Sequence, residues 1–227
     1  MFNPAVHDPK TEQLLLAHEL GIDIKSRTVY LMGEFGGECD VVEMVLTNLR
    51  FLTSATNFPD EHLIPVTMVI DSPGGEDIMM FHLYDFMTTC LTPIHTVGTG
   101  EVCSAAALIL AAGEKGHRSA TPNCMYMTHK GTAGLGGDSD EIEAQAAVQS
   151  IMNDRYWKLL ERHTTLKASQ WFSKSKHKGE LWINTATMLE YGVIDSVVPT
   201  AQEWPELSIK KLRTRVKEIE PDEDDDD

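Results

Sequence analysis

"IHTVGTGEVCSAAALILAAG", Ile94 to Gly113, is the stretch on which the fold turns. Its first six residues follow the break at Pro93 and read as a strand. From Ser104 to Ala112 the chain is small and apolar on every side, so this segment predicts a buried helix. One hydroxyl, Ser104, stands at the junction. It has two readings. A serine before an apolar run is an N-cap. The start of a buried helix also presents unsatisfied N–H groups and the positive end of the dipole, which suit a developing oxyanion beside a nucleophile.

Outward from this unit the same alternation repeats. "VTMVID", Val66 to Asp71, predicts a strand, "SPGG" a turn, and "EDIMMFHLYDFMTTC", Glu76 to Cys90, a helix. Acidic Glu76 and Asp77 sit in that helix's first turn, where the dipole favours them. Upstream, Arg27 to Gly33 reads as a strand and Val41 to Leu52 as a helix. Downstream, "CMYMTH", Cys124 to His129, is a strand, followed by the glycine-rich "KGTAGLGGD". Asp138 to Leu160 is the longest helical stretch, with Ile142, Ala146, Met152, Tyr156 and Leu159 largely on one face. A polar, basic "SKSKHKGE" follows, then a short helix "TATMLEYG" with Gly192 as its C′ residue, then a last strand "VIDSVV". Repeated β-α units predict an α/β domain with a largely parallel sheet. No internal repeat is visible.

The 227 residues, 42% of them hydrophobic, suffice for one sizeable core. No apolar run is long enough for a membrane span. The N-terminus shows no basic region leading into an apolar one, so no secretory signal is expected. Cys39, Cys90, Cys103 and Cys124 form no CxxC pair and read as reduced, mostly buried thiols; no zinc site and no other metal or cofactor is expected. A net charge of −16 argues against nucleic acid as the main ligand. The tail "EIEPDEDDDD", Glu218 to Asp227, reads as solvated and disordered.

Acyl transfer needs a hydroxyl, a base, a carboxylate to orient the base, and backbone N–H donors. Ser104 and the N–H of Ala105 supply the first and the last. "DSPGG", Asp71 to Gly75, adds free glycine N–H groups between a strand and a helix. His129 stands at a strand end, where active-site side chains of α/β sheets gather.

Together these pieces resemble the ClpP serine peptidases, on the wider ClpP/crotonase fold. The resemblance runs from about Arg27 to Val198 and rests on "TVYLMGEF", "VIDSPGG", "GTGEVCSAAALILAAGEKGHRSATPNCMYMTHKG", "LLERHTTL" and "EYGVIDSVV". Ser104 lies 29 residues after Gly75, and His129 lies 25 after Ser104, both without a gap against the family pattern. The resemblance implies repeated β-α units with a protruding handle helix over Asp138 to Leu160, and a glycine-rich strand at "GTAGLGG" beside which an extended peptide binds by β-augmentation. It implies Ser104 as nucleophile, His129 as general base, and the N–H groups of Gly75 and Ala105 as the oxyanion hole. It also implies a homo-oligomer of stacked heptameric rings, fed with unfolded polypeptide by an AAA+ unfoldase.

The chain departs from the family pattern in four places. Where the family has its orienting aspartate this chain has Glu180, two residues before Trp182; a glutamate is able to orient an imidazole. "WFSKSKHKG" is longer than its counterpart and basic, which bears on ring stacking. Ala105, Ala106 and Cys103 replace a methionine, a glycine and an alanine. The stretch before Asp23 lacks a match to the family's axial loops. The expected organisation is an N-terminal extension over 1–22, a peptidase domain over 23–200 and a C-terminal segment over 201–227, in a cytoplasmic protein. Two other readings compete with a serine endopeptidase: an inactive structural or regulatory ring subunit, and a crotonase-like acyl-CoA enzyme that polarises a carbonyl with two backbone N–H groups.

Overall fold

The computed structural model describes residues 9–37, 41–132, 134–176 and 179–200. The tail, the segment 201–227, the first eight residues and Cys39 lie outside them. The elements run α1 (Pro9–Leu20), β1 (Ile22–Asp23), β2 (Thr28–Met32), α2 (Val41–Leu52), β3 (Val66–Ser72), α3 (Asp77–Thr89), β4 (Ile94–Cys103), α4 (Ala105–Ala111) and β5 (Arg118–Ala120). Then come β6 (Met125–His129), α5 (Ser139–His163), α6 (Ala168–Lys176), β7 (Glu180–Asn184), α7 (Thr185–Glu190) and β8 (Ser196–Val197). All belong to a compact unit that ends at Val197.

One eight-stranded sheet organises this unit, in the order β1-β2-β3-β4-β5-β8, with β6 branching from β4 and β7 pairing β6. The pairs from β2 to β8 along this path, and β4 with β6, are parallel; β1–β2 and β6–β7 are antiparallel. The sheet is therefore largely parallel with antiparallel margins, as β-α crossovers require.

β4 is the branching element, and it is longer than the sequence suggested. The expected strand is Ile94 to Thr99. Instead the strand continues to Cys103 through an irregularity between Ile70 and Ser72 of β3. The carboxylate of Asp71 fills that gap and accepts the Glu101 N–H at 3.1 Å. Gly100, at φ 51, has no Cβ to collide with that carboxylate. The bulge lets Thr96–Gly98 pair with β5 while Glu101–Cys103 pair with β6. Ser104 is thus delivered at the end of a bent strand.

Every residue of α4 is buried, and α2 and α3 pack beside the same sheet through Val45, Leu49, Met80 and Leu83. α5 runs 25 residues from a capping box in which Asp138 accepts from Glu141 and Glu141 accepts from Asp138. Its expected apolar face packs only in the C-terminal half: Tyr156 and Leu160 are buried, whereas Ile142 is 39% exposed. The N-terminal half projects from this unit.

Several elements differ from the sequence reading. α6 occupies much of the stretch read as merely polar and basic. Its core side is narrow, with Trp171 fully buried and donating to Thr164 Oγ1 at 2.9 Å, and with Ser175 one turn on; the lysines take the other side. The short strands β5 and β7 were not expected. The last strand is confined to Ser196–Val197, because Val193 and Ile194 are buried in the turn that Gly192 makes at φ 68. Val193 N–H closes that turn on Met188 O at 2.9 Å, with Gly192 at C′ as expected.

The expected glycine-rich strand after His129 is absent among residues 130–132 and 134–137. Side chains of α5 take the place of a strand partner there. Gly131 N–H donates to Asn153 Oδ1 at 2.7 Å, and Gln145 brackets Gly136 by bonding both its N–H and its C=O. Among the described residues no helix is long and apolar enough to cross a membrane.

Candidate active site

Ser104 sits between β4 and α4 with φ 53 and ψ −116. A serine with positive φ is strained and persists only where its surroundings hold it. Ser104 occupies the N-cap position of α4, yet its side chain caps no helix N–H. Its Oγ is instead hydrogen-bonded to His129 Nε2 at 2.8 Å. The position is that of an N-cap, and the bonding is that of a hydroxyl paired with a base.

Ala107 N–H donates to Ser104 O at 3.1 Å from the first turn of α4, and three further contacts hold the turn. Ser104 N–H donates to Met127 O at 2.8 Å, which ties it to the strand that carries His129. The Tyr156 hydroxyl donates to Ser104 O at 3.0 Å. Gly74 lies flat against the turn, since a Cβ there would come within 2.6 Å of Cys103 O and 2.8 Å of Ala105 N.

Gly75 follows at φ 138, and any Cβ on it would overlap the Phe35 backbone. Phe35 N–H donates to Gly74 O at 2.7 Å, and Glu76 N–H donates to Phe35 O at 3.1 Å, so Phe35 clamps the glycine turn from both sides. Among the described residues, neither Gly75 N–H nor Ala105 N–H has a protein acceptor. Such N–H groups suit an oxyanion.

Glu180 lies directly across the β6–β7 ladder from His129. Its carboxylate, however, accepts from Trp182 Nε1 at 2.9 Å, and among the described residues no hydrogen bond joins it to His129. Both residues line a cavity of about 610 Å3 walled by Phe172 and Lys176. The structure therefore brings Ser104 and His129 into direct contact and places Glu180 beside them without closing the link.

The nearest thiols are poor competitors for the nucleophile's role. Burial, aided by the charge of Glu101, pushes Cys103 up to about 12. Burial, aided by Asp71, pushes Cys124 up to about 11. Cys90, Cys103 and Cys124 are free. Among the described residues no group of three or more His, Cys, Asp or Glu is arranged to hold a metal ion.

A cleft of about 650 Å3 opens over Ser104 and His129. Among the described lining residues Glu34, Glu76 and Asp77 are acidic, and none is lysine or arginine. Sequence reasoning did not single out Phe35, Thr128, Gln149, Asn153 or Tyr156 at the site. The sequence places Tyr156 on the apolar face of its helix; the signal for a further role is a hydroxyl and an amide, Tyr156 and Asn153, on the buried side of a helix, where each polar group needs a partner.

The sequence profile of the family described as Clp protease matches residues 20–201. Three curated relatives are similar over most of the chain. The ATP-dependent Clp protease proteolytic subunit 2 of Treponema denticola is 29% identical over 183 residues, covering 81% of this chain and 87% of the relative. The ATP-dependent Clp protease proteolytic subunit of Deinococcus radiodurans is 30% identical over 166 residues, covering 73% and 78%. The ATP-dependent Clp protease proteolytic subunit 1 of Rhodopirellula baltica is 30% identical over 175 residues, covering 77% and 73%.

Proposed function

This chain belongs to the Clp protease family, and from that premise we propose that it is a serine endopeptidase that cleaves unfolded polypeptide in a Clp-type assembly. The observation that carries the reading is the 2.8 Å contact between Ser104 Oγ and His129 Nε2, on a serine held at positive φ. In the proposed reaction His129 takes the Ser104 proton as Oγ attacks a peptide carbonyl. The N–H groups of Gly75 and Ala105 receive the oxyanion; removing one such donor typically costs about 10²–10³ in rate. His129 returns the proton to the departing amine. Water, deprotonated by the same imidazole, then attacks the acyl carbonyl, and His129 returns that proton to Ser104 Oγ as the carboxylic acid product leaves. Glu180 is the proposed orienting acid, and it serves once its carboxylate turns from Trp182 to His129 Nδ1.

The names of the three relatives, ATP-dependent and proteolytic subunit, support the rest of the proposal. The chain forms homo-oligomeric rings and receives substrate from an ATP-driven unfoldase. A cytoplasmic setting is part of the same proposal, and free thiols at Cys90, Cys103 and Cys124 suit it.

One observation favours a second reading. The Glu180 carboxylate is bonded to Trp182 and not to His129, which suits a ring subunit with an incomplete triad. A fluorophosphonate probe separates the two. Covalent labelling of the intact protein, read by mass spectrometry and abolished by Ser104→Ala, is the expected result. An assembled ring that takes up no probe overturns the peptidase reading in favour of the structural subunit.

A further inference from the structure

One side of α5 bonds to three segments around the cleft: the start of α3, the chain just past His129, and the Ser104 turn. Gln149, Asn153 and Tyr156 follow at spacings of four and three and so share a face of the helix. Gln149 Nε2 donates to Asp77 Oδ2 at 3.2 Å, beside the glycine turn. Asn153 Oδ1 accepts Gly131 N–H at 2.7 Å, two residues past His129. The Tyr156 hydroxyl donates to Ser104 O at 3.0 Å and lies 2.7 Å from Thr128 Oγ1.

The proton assignments in this last group follow from the acceptor. A carbonyl oxygen only accepts, so the Tyr156 proton points at Ser104 O. The Thr128 hydroxyl must then donate to Tyr156. The result is a directed chain, Thr128 O–H to Tyr156 O–H to Ser104 C=O, with Thr128 fully buried and Tyr156 6% exposed. Chains of this kind polarise along their length and hold their end group firmly.

The end group matters because of peptide geometry. Ser104 C=O and Ala105 N–H belong to one planar trans peptide and point in opposite directions. Fixing the carbonyl fixes the N–H. We propose that Tyr156, through this chain, is a positioning residue that aims the Ala105 N–H at the oxyanion and holds Ser104 in its strained conformation. The inference rests on the peptidase reading above. It makes α5, half of which projects from the unit, the element that sets oxyanion-hole geometry.

The test is Tyr156→Phe in the full chain, which keeps the ring and removes the hydroxyl. A misaimed donor weakens the transition state more than substrate binding, so kcat on a short fluorogenic peptide should fall about tenfold or more while KM changes less than about twofold. Fluorophosphonate labelling of Ser104 should slow in step. Hydrogen exchange at the Ala107 amide, which donates to the same Ser104 O at 3.1 Å, should accelerate, because the turn is freed. Thr128→Val should give a smaller loss of kcat, since Tyr156 keeps its bond to Ser104, and Thr128→Ser, which keeps the donor, should restore it.

Unchanged kcat, labelling and exchange in Tyr156→Phe overturn the inference. So does a loss that Thr128→Ser and Thr128→Val share equally, because packing rather than the hydroxyl chain would then be responsible. If the unsubstituted protein neither labels nor cleaves, the peptidase reading fails. In that case the exchange rates still decide whether Tyr156 holds the turn.

Discussion

Glu180 and His129 are direct cross-strand partners in the β6–β7 ladder, yet the carboxylate of Glu180 is bonded to the indole of Trp182. Glu180 and Trp182 are two apart on one strand and so face the same side. One carboxylate is therefore within reach of two N–H donors, the Trp182 indole and the His129 ring. If the imidazole wins during turnover, removing the charge is costly. Glu180→Gln should lower kcat by about a hundredfold or more, with KM little altered. Wild-type kcat in Glu180→Gln would show that Glu180 is a bystander and that His129 works without an acid.

The same competition gives a prediction of opposite sign. Trp182 is 46% exposed, so its ring contributes little to the core. Trp182→Phe removes the competing donor and leaves Glu180 free to turn to His129. Peptide hydrolysis and probe labelling should rise by a few-fold, the scale of one hydrogen bond to a charged group shared with solvent. A fall in both rates would mean that the indole holds the carboxylate in place rather than away.

How far the sequence alone leads differs between the two halves of the site. Ser104 and His129 stand at strand ends and Gly75 in the turn after one, and local signals mark such places: a β-branched run, a glycine turn, an apolar helix. The largely parallel character of the sheet follows from the same alternation. What stayed hidden depends on contacts distant in sequence. Phe35 clamps Gly75 from 40 residues upstream. Tyr156 reaches Ser104 across 52 residues. The bulge that extends β4 past Gly100 is filled by the carboxylate of Asp71, 30 residues before Glu101. The glycine-rich stretch after His129 reads as a strand only by resemblance, and in the fold Asn153 and Gln145 satisfy its backbone from α5.

The acidic lining of the cleft predicts a charge preference. Glu34, Glu76 and Asp77 face the space over Ser104, with no lysine or arginine among the described lining residues. Exposed charges act through a screened field, so the preference should be modest and sensitive to salt. Peptides with lysine or arginine near the scissile bond should be cleaved with higher kcat/KM than the same peptides with glutamate. The difference should shrink at high ionic strength and in Glu76→Gln. Equal kcat/KM for the two peptides at low salt would sink the idea.

His163, at the end of α5, predicts how stability follows pH. Its Nε2 meets the Tyr84 hydroxyl at 2.9 Å. Burial pulls its pKa from 6.5 down to about 4, and the charges of Arg118 and Arg162 push the same way. The folded protein thus keeps this ring neutral where the unfolded chain would protonate it. Between those values the unfolded state binds more protons, so stability rises with pH. The contribution is complete above about 6.5 and is lost as pH falls towards 4. His95 works in the same direction, lowered by burial and by the stacked ring of His117. Asp195 adds a lower window. Burial opposes its charge, but hydrogen bonds from Arg118 and Gly116 hold it at about 2, so its contribution fades only below 3.8. The urea midpoint should therefore be lower at pH 5 than at pH 7. In His163→Gln, which does not titrate, the drop between the two should be smaller, with His95 accounting for part of the remainder. An identical drop in the variant would show that His163 is not the group being charged.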